Sequence, residues 1–146
     1  MDPDLPLSVT HEVRDRCLCL HTRRAARTLG RIFDEVLRPH GLTNGQFSLL
    51  MALNRPNAPR LGDLVPVLGM DRTTLTAALK PLQRKGFVTS TSDPKDARAR
   101  RLALTEAGRS ALKAALPVWR KTHDVLDARL AAITPEELRA GLVEIV

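Results

Sequence analysis

The sequence predicts a mainly α fold with one small two-stranded β unit (α+β), on three observations. Apolar residues recur at helical spacing through most of the 146 residues. Between Leu61 and Arg84 the helical pattern is broken once, by Gly69, and resumes after Asp71, a good N-cap for a helix beginning at Arg72. Phe87–Thr91 and Arg101–Leu104 then alternate as two strands around a basic tip, residues 92–100. Helix, tight turn, second helix and β-ribbon together make a winged helix-turn-helix, and long helices on either side of it suit dimerisation.

Taken in order, residues 1–9 hold Pro3 and Pro6 and little to bury, so they read as an arm that orders only against a partner. From His11 to Leu37 there is no Pro and, apart from Gly30, no Gly, which predicts one helix about 40 Å long, ended by Pro39 and Gly41. Thr22, Ala26, Leu29, Phe33 and Leu37 form one stripe of it, with Arg24, Arg27 and Arg31 opposite. Before His21, however, Val13, Cys17 and Leu20 lie on the side that later becomes basic. Apolar residues on both sides need two partners, most simply the rest of the chain and a second subunit.

Thr43 and Gln46 spell a capping box for the next helix, which directs Phe47, Leu50 and Met51 inward. Pro66 is best tolerated in a first turn, placing the start of the following helix at Gly62 or Asp63. The helix from Arg72 turns Leu75, Leu79 and Leu82 to one side and Thr73, Thr76, Ala77, Lys80 and Arg84 to the other. Arg72 and Thr74, in its first turn, belong with that second face. Pro81 should bend its end, and Gly86 terminates it. Thr105 caps a second long helix to Leu130, bent at Pro117. Thr134-Pro135-Glu136-Glu137 starts a last helix running to Val146 that leaves Leu138, Leu142, Val143, Ile145 and Val146 to be covered.

At this length the chain fits one domain. The lobe at 42–104 sits within a second lobe formed by 11–38 and 105–146. Net charge divides along the same lines. Of the total +7, residues 1–59 carry +2, residues 60–104 carry +5 and residues 105–146 carry none. A basic middle between balanced ends is the electrostatic footprint of a nucleic-acid-binding lobe on a dimerisation lobe. With no Tyr, one Trp and three Phe, stacking on single-stranded bases is poorly supplied, so duplex DNA is the expected partner. Thr can read a base edge or a thymine methyl while Lys and Arg take phosphates or guanine. The rival is a winged helix used as a protein-protein interaction module. Against it, the predicted face has no apolar centre of the kind protein docking uses.

These residues resemble the MarR family of bacterial transcriptional regulators. The family's Asp-x-Arg wing pattern, followed by a strand and Leu-Thr-x-x-Gly, is matched by Asp96-Ala97-Arg98 and Leu104-Thr105-Glu106-Ala107-Gly108, and Gly41-Leu42-Thr43 with Gln46-Phe47 is similar to its second-helix entry. The resemblance extends from Val13 to Leu142. It implies that Arg98 enters the minor groove, that Asp96 holds the wing through a salt bridge, and that the first and last two helices interlock in a homodimer. Ala97 stands where the family commonly has Arg, leaving Arg100 and Arg101 to replace that contact. The resemblance further implies a pseudo-palindromic operator, regulation as a repressor, and an effector that is a small aromatic or carboxylic compound or an oxidant.

Cys17 and Cys19 are the chain's two cysteines, consistent with a reducing cytoplasm. On a continuous helix they point about 200° apart, too far to bridge within one chain. Aligned through Arg27, Pro39 and Gly41, Cys19 falls where the hydroperoxide-sensing branch of the family has its reactive cysteine, although that branch's neighbouring tyrosines are missing. A buried structural thiol and a redox sensor both remain open. Cys17 and His21 share a face, but two ligands are too few for a zinc site unless His11 or a twin chain adds to them, so no metal or cofactor is expected. No catalytic constellation is recognisable, and an enzyme is not expected. The absence of an 18-residue apolar run and the acidic, Pro-broken start predict neither a membrane span nor a signal peptide.

Overall fold

Seven α-helices, a single 3-10 turn and a two-stranded sheet make up the computed structural model, which describes residue 2 and residues 4–146 apart from the Ala97 side chain. The order is α1 (Leu7–Arg16), α2 (Leu18–Leu37), the 3-10 turn Arg38–His40, α3 (Asn44–Ala52), α4 (Leu61–Leu68), α5 (Arg72–Arg84), β1 (Val88–Asp93), β2 (Asp96–Leu104), α6 (Glu106–Asp127) and α7 (Pro135–Val143). The fold is mainly helical with a two-stranded antiparallel wing, as the sequence predicts. Met1 and Pro3 of the predicted N-terminal arm lie outside the described residues.

The helix starts follow side-chain chemistry. Thr43 and Gln46 exchange hydrogen bonds with each other's backbone N–H, both at 3.2 Å, and Thr134 and Glu137 repeat the arrangement. Thr105 Oγ accepts from Gly108 N at 3.1 Å and donates to the Gly86 carbonyl at 2.6 Å, so one residue caps α6 and ties it to the end of α5. A Cβ on Gly108 would collide with the Phe87 carbonyl oxygen, which only glycine avoids. At the end of α5, Phe87 N bonds Leu82 O and Gly86 N bonds Gln83 O, with Gly86 at φ +72°. Both bonds of the Schellman turn are present.

The core joins α3, α4, α5 and the root of the wing to the lower halves of α2 and α6. Leu37, Leu49, Leu50, Leu64, Leu75 and Leu82 are fully buried. A chain of rings crosses between the lobes. Phe33 of α2 meets His123 of α6 at 4.6 Å between centroids, His123 meets Trp119 at 4.0 Å, and Trp119 meets Phe47 of α3 at 5.8 Å.

Several expectations are corrected. The first long helix is two helices, because Cys17 is extended (φ −75°, ψ 100°) and its Sγ caps α2 by accepting from Leu20 N at 3.3 Å. The continuous-helix premise that separated Cys17 from Cys19 therefore fails. Met51 is exposed, and Leu49 takes the inward position instead. Helix α4 begins at Leu61, so Pro66 lies inside it at the cost of one backbone bond, to Gly62. The strands run through the basic stretch, leaving Pro94 and Lys95 as the whole tip. Helix α6 ends at Asp127 and α7 at Val143.

Among the described residues, α1 and α7 contribute nothing to the core. Leu18, Val143 and Ile145 are 70, 69 and 64% exposed, and α2 is solvent-facing all round from His21 to Leu29. Between α2, α6 and α7 an apolar groove of about 430 Å³ is walled by Leu29, Ile32, Leu126, Leu130, Leu138 and Leu142. No described helix is long and apolar enough to cross a membrane.

Candidate nucleic-acid interface

Helix α5 is fixed at both ends and along one side, which determines what its other side presents. Asp71 accepts from Thr74 N at 2.9 Å and from Thr74 Oγ at 2.7 Å, and these bonds hold its carboxyl below the usual carboxylate range. Leu75, Leu79 and Leu82 are buried behind. Arg72, Thr73, Thr74, Thr76, Ala77, Lys80 and Arg84 are all exposed. The structure thus brings the predicted face together, but its hydroxyls are not equivalent. Thr74 spends its hydroxyl on the cap. Thr76 donates its own to the Arg72 carbonyl at 2.7 Å, leaving its methyl and remaining lone pair to meet a ligand.

Arg72 has a device of its own. Its guanidinium lies 2.9 Å from where a Cβ on Gly62 would stand, so the bare backbone of α4 lets that side chain cross toward the wing. There it borders a cleft of about 470 Å³ that Arg60, Arg98 and Arg100 also line. Neither Gly62 nor Arg60 is recognisable as part of the site from sequence.

The wing is an antiparallel ribbon pairing Val88 with Leu104, Ser90 with Leu102 and Ser92 with Arg100, with an irregularity at Ser92/Asp93. Arg98 is exposed and none of its guanidinium nitrogens has a protein partner among the described residues. Arg100 differs. Its guanidinium is laid along β1, bonded to Ser90 Oγ at 3.0 Å, Ser90 O at 2.8 Å and Ser92 Oγ at 3.2 Å. Arg101 is turned to the other side, where Nη1 donates to Ala58 O at 2.8 Å. Arg101 therefore cannot replace the cation missing at position 97.

The expected salt bridge of Asp96 is absent among the described residues. Asp96 is exposed and accepts only from the Arg98 backbone N–H, at 3.0 Å. The carboxylate that holds the wing is Asp93, three residues earlier and buried. Its Oδ2 receives Arg60 Nε at 2.9 Å and lies 2.7 Å from Arg101 Nε, off the line of that N–H, while Oδ1 receives Lys95 N at 2.7 Å. Both acids accept from the backbone N–H two residues on; what sets Asp93 apart is that the Arg60 and Arg101 side chains stand against it under the ribbon. A turn-opening Asp was a legible signal; its partner 33 residues back was not.

Arg60 above all, and then the Lys95 amide, hold the Asp93 carboxyl well below the usual carboxylate range. With the native pKa below the unfolded one, this group contributes its stability in full above about pH 4 and loses it as pH falls from there toward the native value. Asp93→Asn is expected to lower the melting temperature by on the order of 5 °C near neutrality and to show a flatter fall in urea midpoint below about pH 4. Parallel curves for parent and variant would contradict this.

The remaining candidates lie elsewhere. Cys17 is half-buried at the α1–α2 break and Cys19 is exposed, so neither is a core thiol of this chain. His21 Nε2 is 3.3 Å from the Asp15 carbonyl oxygen. No group of three or more metal-ligating side chains occurs among the described residues.

Comparison with known proteins converges on one group. The MarR family model matches residues 42–99. The Mycobacterium tuberculosis transcriptional regulator MosR, solved in complex with DNA, superposes with a TM-score of 0.82 at 38% identity, over 89% of this chain and 93% of that one. BpsR of Bordetella bronchiseptica, whose DNA binding is regulated by 6-hydroxynicotinic acid, superposes at 0.73 with 25% identity, over 89% of this chain and 90% of BpsR. The transcriptional activatory protein BadR of Rhodopseudomonas palustris is 33% identical over 89 residues, 59% of this chain and 51% of BadR. This chain spans about half the length of the first curated relatives it matches.

Proposed function

The chain belongs to the MarR family of winged-helix transcriptional regulators, and on that premise we propose that it binds duplex DNA at a pseudo-palindromic operator as a homodimer. One observation carries the reading. The exposed side of α5 offers threonines and cations beside a wing whose Arg98 guanidinium has no partner among the described residues, a surface that reads bases and neutralises phosphates together. The alternative of a protein-docking module is disfavoured by the same surface, which lacks an apolar centre. Titration of labelled duplex and single-stranded DNA across a range of salt tests the proposal. Duplex should bind more tightly, with affinity falling steeply as salt rises. Equal affinity for both, or no salt dependence, would contradict it.

Dimerisation is supported by the apolar residues of α1, α2 and α7, which this chain leaves uncovered. The proposed division assigns DNA binding to 42–104 and dimerisation to 11–38 with 105–146. We place the protein in the cytoplasm, where its DNA is. The signal proposed is release from the operator, as a repressor, by a small aromatic or carboxylic compound, a class to which the BpsR effector belongs.

An oxidant is the second reading, favoured by the exposure of Cys19. In that case the Cys19 thiolate attacks a hydroperoxide, forming a sulfenic acid and releasing the alcohol. Hydroperoxide should then release DNA from the parent and from Cys17→Ser but not from Cys19→Ser. Retention by all three, with Cys19 unmodified by mass spectrometry, would leave the small molecule as the signal.

A further inference from the structure

We propose that Asp93 is the positioning residue of the wing: by gripping Arg60 at the cap of α4 and Arg101 on β2 together, it sets where Arg98 is presented beside α5. The inference rests on the DNA-binding reading above and adds a residue that never touches DNA.

The outer half of the ribbon has little else to orient it. A two-stranded ribbon is marginal by itself and twists easily. Val88, Leu102 and Leu104 anchor its root in the core, but from Thr91 outward Asp93 is the buried side chain among those described. It reaches both bodies that must be held in register, by a hydrogen bond to Arg60 and a charge contact with Arg101. Arg60 is locked to α4, because its backbone N–H donates to Asp63 Oδ2 at 2.8 Å. Arg101 is locked to the loop before α4 through Ala58 O, and Leu102 N donates to Pro59 O at 2.9 Å. Asp93 closes this frame and, through Lys95 N, fixes the tip turn as well.

A carboxylate suits this task better than an apolar plug. A buried ion pair adds little net stability over a hydrophobic group of the same size, but its bonds are directional and break if the geometry changes. The lever is long enough to matter. Arg98 stands three residues beyond Arg101 on β2, about 10 Å away, so a swing of about 10° at the root moves it by about 2 Å. That displacement is enough to lose a hydrogen bond.

A double-mutant cycle separates positioning from mere stability, since Asp93 and Arg98 share no bond. Operator affinity and its salt dependence are measured for the parent, Asp93→Asn, Arg98→Ala and the double variant, at a temperature where all are folded by circular dichroism. Asp93→Asn is expected to weaken binding about tenfold and to reduce the salt slope as Arg98→Ala does. In the double variant affinity should stay within about twofold of Arg98→Ala alone, because a wing without its arginine has nothing left to misplace. Independent residues would instead multiply their effects, and that outcome, or an unchanged salt slope in Asp93→Asn, overturns the proposal. If Asp93→Asn does not fold, Arg60→Lys, which keeps the cation that borders the cleft but loses the Nε–H that Asp93 holds, enters the cycle in its place, with the same two outcomes. A parent protein that binds no duplex would remove the DNA-binding reading itself, whereas a binding parent with multiplying variants removes only the role of Asp93.

Discussion

Deleting residues 135–146 is expected to abolish the proposed dimer and to weaken operator binding by roughly 100-fold or more, the loss incurred when two linked half-site contacts become one. The deletion removes α7 and the apolar residues that follow it. Val143 and Ile145 are largely exposed in the single chain and Leu138 and Leu142 partly so, and fully burying a side chain of this size contributes up to about 1.5–3 kcal/mol. Two copies of such a surface would supply the proposed association, which the polar faces of α2 and α6 would not sustain. The deletion also opens the groove whose other walls are Leu29, Ile32, Leu126 and Leu130, so the truncated chain should be monomeric or aggregate. Sedimentation velocity alongside gel shift decides the matter. A soluble, intact dimer after the deletion would show that α7 is not the seam.

Arg98→Ala is expected to weaken binding to every duplex, by about 1–3 kcal/mol, and to lower the log–log salt slope by about one per wing. The cause is that its guanidinium is exposed and has no partner among the described residues, so its interaction is available to DNA. Thr76→Val should behave differently. Valine keeps the methyl and loses the hydroxyl that donates to Arg72 O, leaving a base contact without its hydrogen-bonding half. Affinity for random duplex should change by less than about twofold, while discrimination at the base pair it faces changes by about 1 kcal/mol. Competition assays with operator and random DNA measure both. Unchanged values for both variants would mean that the reading face is wrongly placed. Arg100→Ala gives a contrast, since that guanidinium is already engaged by Ser90 and Ser92.

Where local chemistry decided the structure, the sequence was legible. Asp71, Thr43, Thr105 and Thr134 each open a helix because a side-chain oxygen two or three residues from an unpaired N–H has little competition, and Gly86 ends one because its φ of +72° suits no other residue as well. The alternation of Val88, Leu102 and Leu104 against Thr and Ala likewise announces the root of the wing. What stayed hidden was decided at long range or by weak signals. No Pro or Gly marks the break at Cys17, and cysteine is an uncommon cap. The run Asp96-Ala97-Arg98-Ala99-Arg100 alternates, but between small and charged residues, so nothing in it announces a pairing with β1 rather than a loop. Asp96 and Asp93 are both acids at the tip. Only the position of Arg60, brought in by α4, decides which of them is buried, and no spacing in the sequence expresses that.

Selection of bound duplexes from a random pool asks at once whether the protein reads duplex DNA, whether it reads sequence, and whether it does so as a two-fold dimer. The expected result is enrichment of an inverted repeat whose half-site centres lie about one helical turn, or roughly 34 Å, apart. A pool that stays random, or one enriched in a single unpaired motif with no inverted partner, would contradict it.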